Sequence, residues 1–207
     1  QFSETVQRLT AEAEEKLAPL YKEIDAVSFR NTEKIMDAFR RHRVSDSMFG
    51  TSSGYGNNDR GREVLDEIWA DVMGAEAAFV RVGIVSGTHA LSIGLYGLLR
   101  PGDILYTIAG KEVIGLCGET GNGSLRDFGV DYLQTDLNAD GSFRAEEIAE
   151  NLKKHPNIKV VFIQRSKGYL NRKTLSVAEI GEAIKVVRAV RQDGYGGQLL
   201  RRIRRGA

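Results

Sequence analysis

The stretch AAFVRVGIVSGTHALSIGLYGLLRPGDILYTIA, residues 77–109, decides the fold. Its apolar run at 77–85 predicts a strand, and SGTHALSIGLYGLL at 86–99 predicts a helix. PGD at 101–103 predicts a turn, and ILYTIA at 104–109 predicts a second strand. Strands that alternate with helices indicate a parallel sheet, because parallel strands need long crossover connections and these are usually helical.

The same alternation continues toward the C-terminus. VDYLQTDL (130–137) predicts a strand and AEEIAENLKKH (145–155) a helix. KVVFIQR (159–165) then predicts a buried strand, and VAEIGEAIKVVRAV (177–190) predicts another helix. The predicted fold class is therefore α/β, with a mostly parallel sheet that is flanked by helices.

The first part of the chain has a different composition. Residues 3–45 are rich in Glu, Lys, Arg and Ala, and their apolar positions recur at steps of three and four residues, which predicts two amphipathic helices. Residues 46–61 are rich in Ser, Gly, Asn and Asp, which favour a loop. A helical stripe at 63–73 then ends at Gly74, a residue typical of helix C-termini.

These patterns predict three regions. The predicted organisation is an N-terminal helical arm at 1–45, an α/β domain at 46–190 and a basic tail at 191–207. The net charge is +1, from 29 basic and 28 acidic residues, so no overall field favours nucleic acid or a membrane surface. The single cysteine, Cys117, excludes an internal disulfide, and neither a signal peptide nor a membrane span is visible, so we expect a cytoplasmic protein.

Ser86, Gly87 and Thr88 lie where the predicted strand meets the predicted helix. The N-terminus of a helix offers unpaired N–H groups and a positive dipole end, so this turn is suited to a phosphate. A simpler interpretation is that Ser86 or Thr88 only caps the helix. His89 follows in the same turn; a structural role is the commoner one, and stacking on a flat aromatic cofactor is the functional alternative.

Several longer motifs occur together, in one order along the chain. They are GTSSGYGNNDRGREVLDEIWADVMGAEAAFVR (50–81), IVSGTHAL (84–91), LRPGD (99–103), GSLRDFGV (123–130) and VVFIQRSKGYLNRKTLSVAEIGE (160–182). In these motifs the chain resembles the aluminium-resistance family of pyridoxal-phosphate enzymes. That family is similar to the cystathionine and methionine gamma-lyases of fold type I, so the resemblance implies part of a fold type I large domain.

The resemblance also implies roles for particular residues. Ser86, Gly87 and Thr88 would hold the phosphate of pyridoxal 5′-phosphate, and Tyr55 would reach the phosphate of a neighbouring subunit, which implies a homo-oligomer. Arg165 and Ser166 would lie near the cofactor ring or the substrate carboxylate. The implied activity is that of a carbon–sulfur lyase acting on a sulfur-containing amino acid, with no partner among nucleic acids or membranes.

Other interpretations of these residues stay open. Tyr55 could pack on its own helix, and Arg165 could form an ordinary structural ion pair. Arg60 and Arg62 could contact the phosphate, but a solvated position is the simpler interpretation of each. Solvated positions are also the simpler interpretation of the lysines that could form a Schiff base, since none matches the family's lysine; they are Lys111, Lys167 and Lys173. No cluster of His, Cys or carboxylate residues has metal-ligand spacing, so we expect no metal site.

The chain departs from the family pattern at three places. Val82 and Gly83 replace a proline and a glutamine, and the residues after Lys111 lack the tyrosine that stacks on the cofactor ring. The segments with the ring-pairing aspartate and the cofactor-binding lysine are also missing from this sequence, so we predict no catalytic residue and no activity of the isolated chain. The alternative function is a non-catalytic α/β remnant or an oligomerising phosphate-binding module.

The tail RQDGYGGQLLRRIRRGA, residues 191–207, differs abruptly from what precedes it. A solvated basic tail or a cloning scar is the simple interpretation. A sharper hypothesis is that this tail is an out-of-frame translation. Tyr195–Arg205 can be encoded by bases that give MVDNCYGEFVE when they are read one nucleotide later. The family carries VDNCYGEFVE at this point, including the ring-pairing aspartate. Sequencing the gene tests this hypothesis.

Overall fold

Three parallel strands form the central sheet of the chain. The computed structural model describes residues 2–54, 59–110, 123–167 and 171–192. The strands are β1 (Ile104–Thr107), β2 (Asp131–Gln134) and β3 (Ile158–Phe162), in the order β2-β1-β3, and both pairings are parallel. This arrangement confirms the predicted parallel α/β fold, although each strand is shorter than its apolar run.

Five α-helices are seen in the described residues. They are α1 (Glu4–Arg41), α2 (Arg60–Met73), α3 (Gly87–Leu98), α4 (Ala145–Lys154) and α5 (Val177–Gln192). Two short 3-10 helices, Asp46–Phe49 and Leu125–Phe128, lie in the connections. The chain divides into two compact units, residues 1–83 and 84–207. The domain boundaries predicted from the sequence at 45/46 and 190/191 stay predictions.

Strand β1 is covered on both faces because its side chains alternate. Ile104 and Tyr106 pack in one cluster with residues of α4 and α5, including Ile148 and Ala183. Leu105 points the other way and packs with Leu95 and other residues of α3 and the loop before β2. An irregularity in the pairing with β3 aligns Ile104 with Ile158 but Leu105 with Val160, which keeps apolar side chains on both faces.

A polar network lies inside the cluster that α4 covers. The Tyr106 hydroxyl forms a hydrogen bond of 2.7 Å with Thr135 Oγ1 and accepts one of 3.1 Å from Asn151. Thr135 in turn donates to a carboxylate oxygen of Glu147, at 2.9 Å. Burial raises the pKa of Tyr106, and its hydrogen bonds partly oppose that rise. The network therefore keeps the buried hydroxyls paired and joins β1 to α4.

Helix α5 begins at a reciprocal cap. The Glu179 N–H donates to Ser176 Oγ at 3.2 Å, and the Ser176 N–H donates to a Glu179 carboxylate oxygen at 2.8 Å. This S-x-x-E arrangement satisfies two backbone donors that the helix itself leaves without acceptors. Lys173 adds an ion pair with Glu179 at 2.6 Å. The start of α5 is therefore fixed by its own sequence.

In residues 1–83, α1 is one continuous helix, so the prediction of two helices was wrong. The region is rich in good helix formers, and the helix continues through Pro19. Its C-terminal end packs on α2, where Ala38 lies against Val64 and Ile68. His42 also lies between Glu67 and Asp71 of α2, with ring nitrogens 3.2 Å from a carboxylate oxygen of each.

Helix α2 confirms the predicted helix and its stop signal. Gly74 is the C-cap, with φ of 64°, a left-handed conformation that a glycine adopts without strain. The Arg41 guanidinium, at 2.8 Å from Asp71, is the main cause that lowers the pKa of that carboxyl group. Charged pairs therefore accompany the apolar contact between α1 and α2.

The predicted strand at 77–85 does not form within the described residues. Asp66 of α2 binds this segment instead: its carboxylate accepts the Val80 N–H at 2.7 Å and pairs with the Arg81 guanidinium at 2.8 Å. Val82 and Gly83 then form a turn, and Val82 is 92% exposed. The backbone is held by a side chain rather than by a neighbouring strand, so this prediction was wrong.

Candidate functional site

The first turn of α3 contains three of the residues that the sequence singled out. Ser86 is the N-cap, with extended backbone angles, and its Oγ accepts the His89 N–H at 3.1 Å. The Ser86 carbonyl accepts the Ala90 N–H at 3.0 Å. Ser86 therefore caps α3, and its hydroxyl still has a hydrogen that it can donate to a ligand.

The backbone amides of Gly87 and Thr88 are open to a ligand. Neither N–H has an acceptor among the described residues, and the turn from Val85 to Ala90 is exposed. A Cβ built on Gly87 would meet no atom within 4 Å, so packing in this chain does not require a glycine there. Two free amides at the positive end of a helix form a suitable cradle for an anion such as a phosphate.

His89 has a local hydrogen bond in the structure. Its Nδ1 lies 3.4 Å from the Val85 nitrogen, which donates to it. This contact joins the residue before the cap to the first turn of α3. The observed contact favours the structural role of His89, and the stacking role stays a prediction.

Arg165 and Ser166 follow strand β3 and are exposed. The Arg165 Nε donates to the Leu175 carbonyl at 3.2 Å, and the Leu175 N–H donates to the Arg165 carbonyl at 3.1 Å. The observed partner of the Arg165 side chain is therefore a backbone carbonyl and not a carboxylate. Arg165 keeps its terminal guanidinium nitrogens available to an anion.

Arg172 is a residue of this edge that sequence reasoning missed. Its guanidinium donates to the carbonyls of Gln164 and Ser166, both at 2.9 Å, and to that of Lys173 at 3.0 Å. It therefore fixes the backbone on which Arg165 and Ser166 lie. An arginine in a polar loop has no sequence signal that separates this role from solvation.

The topology directs the first turn of α3 and the residues after β3 toward the same end of the α/β layer. The last turn of α3 packs near the beginnings of the strands, because Leu99 clusters with Leu105 and Val130. Its first turn is consequently directed toward the strands' carboxyl ends, which is also where Arg165 follows β3. Ligands of open α/β sheets bind at this edge.

More polar groups line the same edge. The Thr107 and Tyr132 hydroxyls are 2.9 Å apart, and Tyr132 donates to the Gln134 side chain at 3.1 Å. Gln134 then donates to Asp136 at 2.7 Å. Thr107 ends β1, Gln134 ends β2 and Asp136 follows it, so a connected row of polar side chains, with Tyr132 between them, reaches the carboxyl ends of two neighbouring strands.

The remaining candidates have other positions. Tyr55 and Lys111 lie outside the described residues. Arg62 pairs with Asp59, and Arg60 pairs with Glu67. The other two lysine candidates are both exposed, and the ion pair of Lys173 with Glu179 gives that lysine a structural partner.

The chain is similar to known proteins over most of its length. The sequence profile of the methionine gamma-lyase family matches residues 6–194, which is most of the chain. The chain belongs to the methionine gamma-lyase family. The YnbB protein of Bacillus subtilis (strain 168) is 42% identical over 196 residues, which are 92% of this chain and 46% of that protein.

Solved structures agree with this family assignment. A carbon–sulfur lyase involved in aluminum resistance from Clostridium novyi NT matches with a TM-score of 0.84 and 36% identity, over 92% of this chain and 46% of that one. A candidate cystathionine beta-lyase involved in aluminum resistance from Clostridium acetobutylicum matches with a TM-score of 0.84 and 39% identity, with the same coverage. This chain therefore spans about half the length of its relatives in the methionine gamma-lyase family.

Neither a membrane-spanning helix nor a metal-binding cluster is found among the described residues. None of the described helices is both long and apolar enough to cross a membrane. Likewise, no group of three or more His, Cys, Asp or Glu side chains in the described ranges could hold a metal ion.

Proposed function

We propose that this chain carries the phosphate-binding turn of a pyridoxal 5′-phosphate-dependent carbon–sulfur lyase. The observation that carries the proposal is the open first turn of α3, where the amides of Gly87 and Thr88 are exposed and have no acceptor among the described residues. The family match and the C. novyi carbon–sulfur lyase support the reaction class. The proposed substrate is a sulfur-containing amino acid.

Each predicted site residue has a proposed task. The Ser86 hydroxyl and the amides of Gly87 and Thr88 would hold the phosphate, and the positive end of α3 would stabilise its charge. Arg165 and Ser166 would lie near the cofactor ring or the substrate carboxylate. A bound pyridoxal phosphate supplies the electron sink that lets a proton leave the carbon next to nitrogen and a thiol leave the side chain.

The assembly and location of the protein are further parts of the proposal. Tyr55 would act on the phosphate of a neighbouring subunit, so the site would need a homo-oligomer. We propose the cytoplasm as the compartment. The expectation that this chain alone performs no lyase reaction stays a prediction.

Binding of pyridoxine 5′-phosphate tests the proposal. This compound has the phosphate but lacks the aldehyde, so it cannot react with lysine side chains and reports the non-covalent cradle alone. We expect calorimetry to detect its binding to the wild-type chain, and we expect pyridoxine without phosphate to bind at least about tenfold more weakly. Equal binding of the two compounds contradicts the proposal.

Two glycines of α3 provide a matched pair of variants. A Cβ at Gly87 or at Gly97 would meet no atom within 4 Å, so both alanine variants fit the fold. Gly87→Ala places a methyl group where the phosphate approaches, and we expect binding to weaken about tenfold. Gly97→Ala, at the far end of the same helix, should bind as the wild type does. Equal affinities of all three proteins would count against the α3 turn.

A further inference from the structure

The segment that follows β3 is held at three consecutive backbone carbonyls. The Arg172 guanidinium donates to the carbonyls of Gln164 and Ser166, both at 2.9 Å. Between them, the Arg165 carbonyl accepts the Leu175 N–H at 3.1 Å. Leu175 is 0% exposed, so this contact ties the segment to a buried residue. Hydrogen bonds on three successive carbonyls restrict the backbone from which the Arg165 side chain extends.

Arg172 is itself connected to the body of the α/β layer. Its guanidinium also donates to the Lys173 carbonyl at 3.0 Å, and the Lys173 ammonium pairs with Glu179 of α5 at 2.6 Å. The stem of this lysine packs on Gly141, where an added Cβ would come within 2.8 Å of Lys173 Cε. The Arg172 Nε is buried and has no acceptor among the described residues, so the two terminal nitrogens hold this side chain in place.

The contacts of Arg165 also orient its side chain. The Arg165 Nε–H donates to the Leu175 carbonyl at 3.2 Å, which fixes one edge of the planar guanidinium. Its terminal nitrogens have no acceptor in the part of the chain that the structure describes, and the residue is exposed. A planar fork of N–H donors matches the oxygens of a carboxylate, whereas a lysine ammonium acts as a point charge. An oriented guanidinium at the carboxyl edge of a parallel sheet is therefore suited to an oxyanion ligand.

We propose that Arg165 binds the carboxylate of the amino-acid substrate, and that Arg172 is the positioning residue that orients Arg165. This inference rests on the proposed function, in which the first turn of α3 holds the cofactor phosphate. With the phosphate at that turn, the substrate carboxylate is the second oxyanion of the complex, and Arg165 follows β3 at the same end of the layer. Arg172 contacts neither oxyanion; it acts through the backbone of the segment after β3.

Two ligands that differ only in a carboxylate test the role of Arg165. They are 5′-phosphopyridoxyl-L-alanine and 5′-phosphopyridoxyl-ethylamine, and neither has an aldehyde that could react with a lysine. We expect calorimetry of the wild-type chain to give about tenfold tighter binding of the alanine compound. Arg165→Gln should make the two affinities about equal and leave the binding of pyridoxine 5′-phosphate unchanged. Equal affinities in the wild type overturn the proposal, and so does weaker binding of pyridoxine 5′-phosphate to Arg165→Gln, because that result assigns Arg165 to the phosphate.

The ratio of these two affinities also tests the role of Arg172, because a general loss of stability would weaken both compounds alike. Arg172→Gln removes the guanidinium, and Arg172→Lys keeps the positive charge without the planar fork. We expect the ratio to fall from about ten to about two or less in both variants. Lys167→Gln is the matched control, since it removes a positive charge from an exposed side chain of the same segment and should keep the wild-type ratio. A wild-type ratio in both Arg172 variants, or an equal loss in Lys167→Gln, overturns the positioning role.

Propionate separates this inference from the proposed function, because it has a carboxylate and no phosphate. In NMR spectra of the 15N-labelled chain, we expect propionate to shift the Nε–H signal of Arg165, and we expect a smaller shift in Arg172→Lys. This shift together with no binding of pyridoxine 5′-phosphate would support the carboxylate site and contradict the proposed function. An Arg165 signal that neither propionate nor the alanine compound changes overturns the inference, whether or not pyridoxine 5′-phosphate binds.

Discussion

Strand β1 and helix α1 both have regular apolar patterns, but their apolar side chains differ in burial. Every residue of β1 is buried, because α3 covers one face of the sheet and α4 and α5 cover the other. Helix α1 keeps large apolar side chains such as Leu20 and Ile24 exposed over most of its length. The α/β layer thus covers its central strand with its own helices, whereas among the described residues α1 is covered only near its C-terminal end.

The difference separates two uses of apolar residues. Burial of β1 contributes to the stability of a single chain, since each large apolar side chain removed from water contributes about 1.5–3 kcal/mol. The same residue types on α1 contribute only when another helix covers them. Substitutions of buried residues in the α/β layer should therefore destabilise the fold more than substitutions on the exposed part of α1.

The largest effect is expected at Tyr106, which is 0% exposed. Tyr106→Ala should lower the free energy of unfolding by about 3–5 kcal/mol, because it leaves a cavity and removes the partner of Thr135 and Asn151. Urea unfolding of the chain at low concentration measures this loss. Phe29→Ala on the outer side of α1 should change it by less than about 0.5 kcal/mol. Similar losses for the two variants would remove the contrast between the regions.

A smaller effect is expected at Asp66, which holds the segment before α3. Asp66→Ala leaves the Val80 N–H and the Arg81 guanidinium without their acceptor, and should destabilise residues 1–83 by about 1–3 kcal/mol. Limited proteolysis should then cut the chain faster between residues 75 and 85. Glu76→Ala changes an exposed carboxylate in the same segment and serves as the control; equal cleavage rates of the two variants would contradict the role of Asp66.

Two substitutions of Ser86 should separate its contribution to stability from its contribution to ligand binding. Ser86→Ala removes the cap of α3 and should cost about 0.5–2 kcal/mol in urea unfolding. Ser86→Asp keeps a capping oxygen and should unfold nearly as the wild type does. Its negative charge should nevertheless weaken the binding of pyridoxine 5′-phosphate. An aspartate variant that binds the phosphate as tightly as the wild type would contradict the proposed site.

The smallest effect is a pH dependence at the start of α5. Hydrogen bonds from Lys173 and then from Ser176 lower the pKa of Glu179 to about 2, from 4.5. A lowered folded-state pKa stabilises the fold at pH above 4.5, and this stabilisation is lost as the pH falls toward about 2. The stability difference between wild type and Glu179→Gln should therefore shrink over that range. A difference that is constant with pH would exclude this linkage.

The sequence predicted the α/β layer well because its periodicity is strong. β1, α3, α4 and α5 all formed where apolar spacing placed them, and Ser86 and Gly74 mark helix ends as their residue types indicate. Apolar content alone misled at 77–85, since Asp66, far away in sequence, holds that backbone. The apolar pattern of the sequence could not predict the contact of Asp66 with this segment.

Part of the candidate site could not be predicted from the sequence. The turn at Ser86 was predicted, because cap residues and glycine between a strand-like and a helical run are a local signal. The role of Arg172 depends on three carbonyl groups that the folded loop brings together, and no local signal encodes them. The task of Tyr55 stays a prediction, because that residue lies outside the described residues.

The most direct test of the central claim is an NMR titration of the 15N-labelled chain with pyridoxine 5′-phosphate. We expect the amide signals of Gly87 and Thr88 to shift most, in a saturable manner, and we expect pyridoxine without phosphate to leave them unchanged. Amide shifts confined to other parts of the chain, or unchanged signals at saturating ligand, would contradict the claim that the first turn of α3 binds the cofactor phosphate.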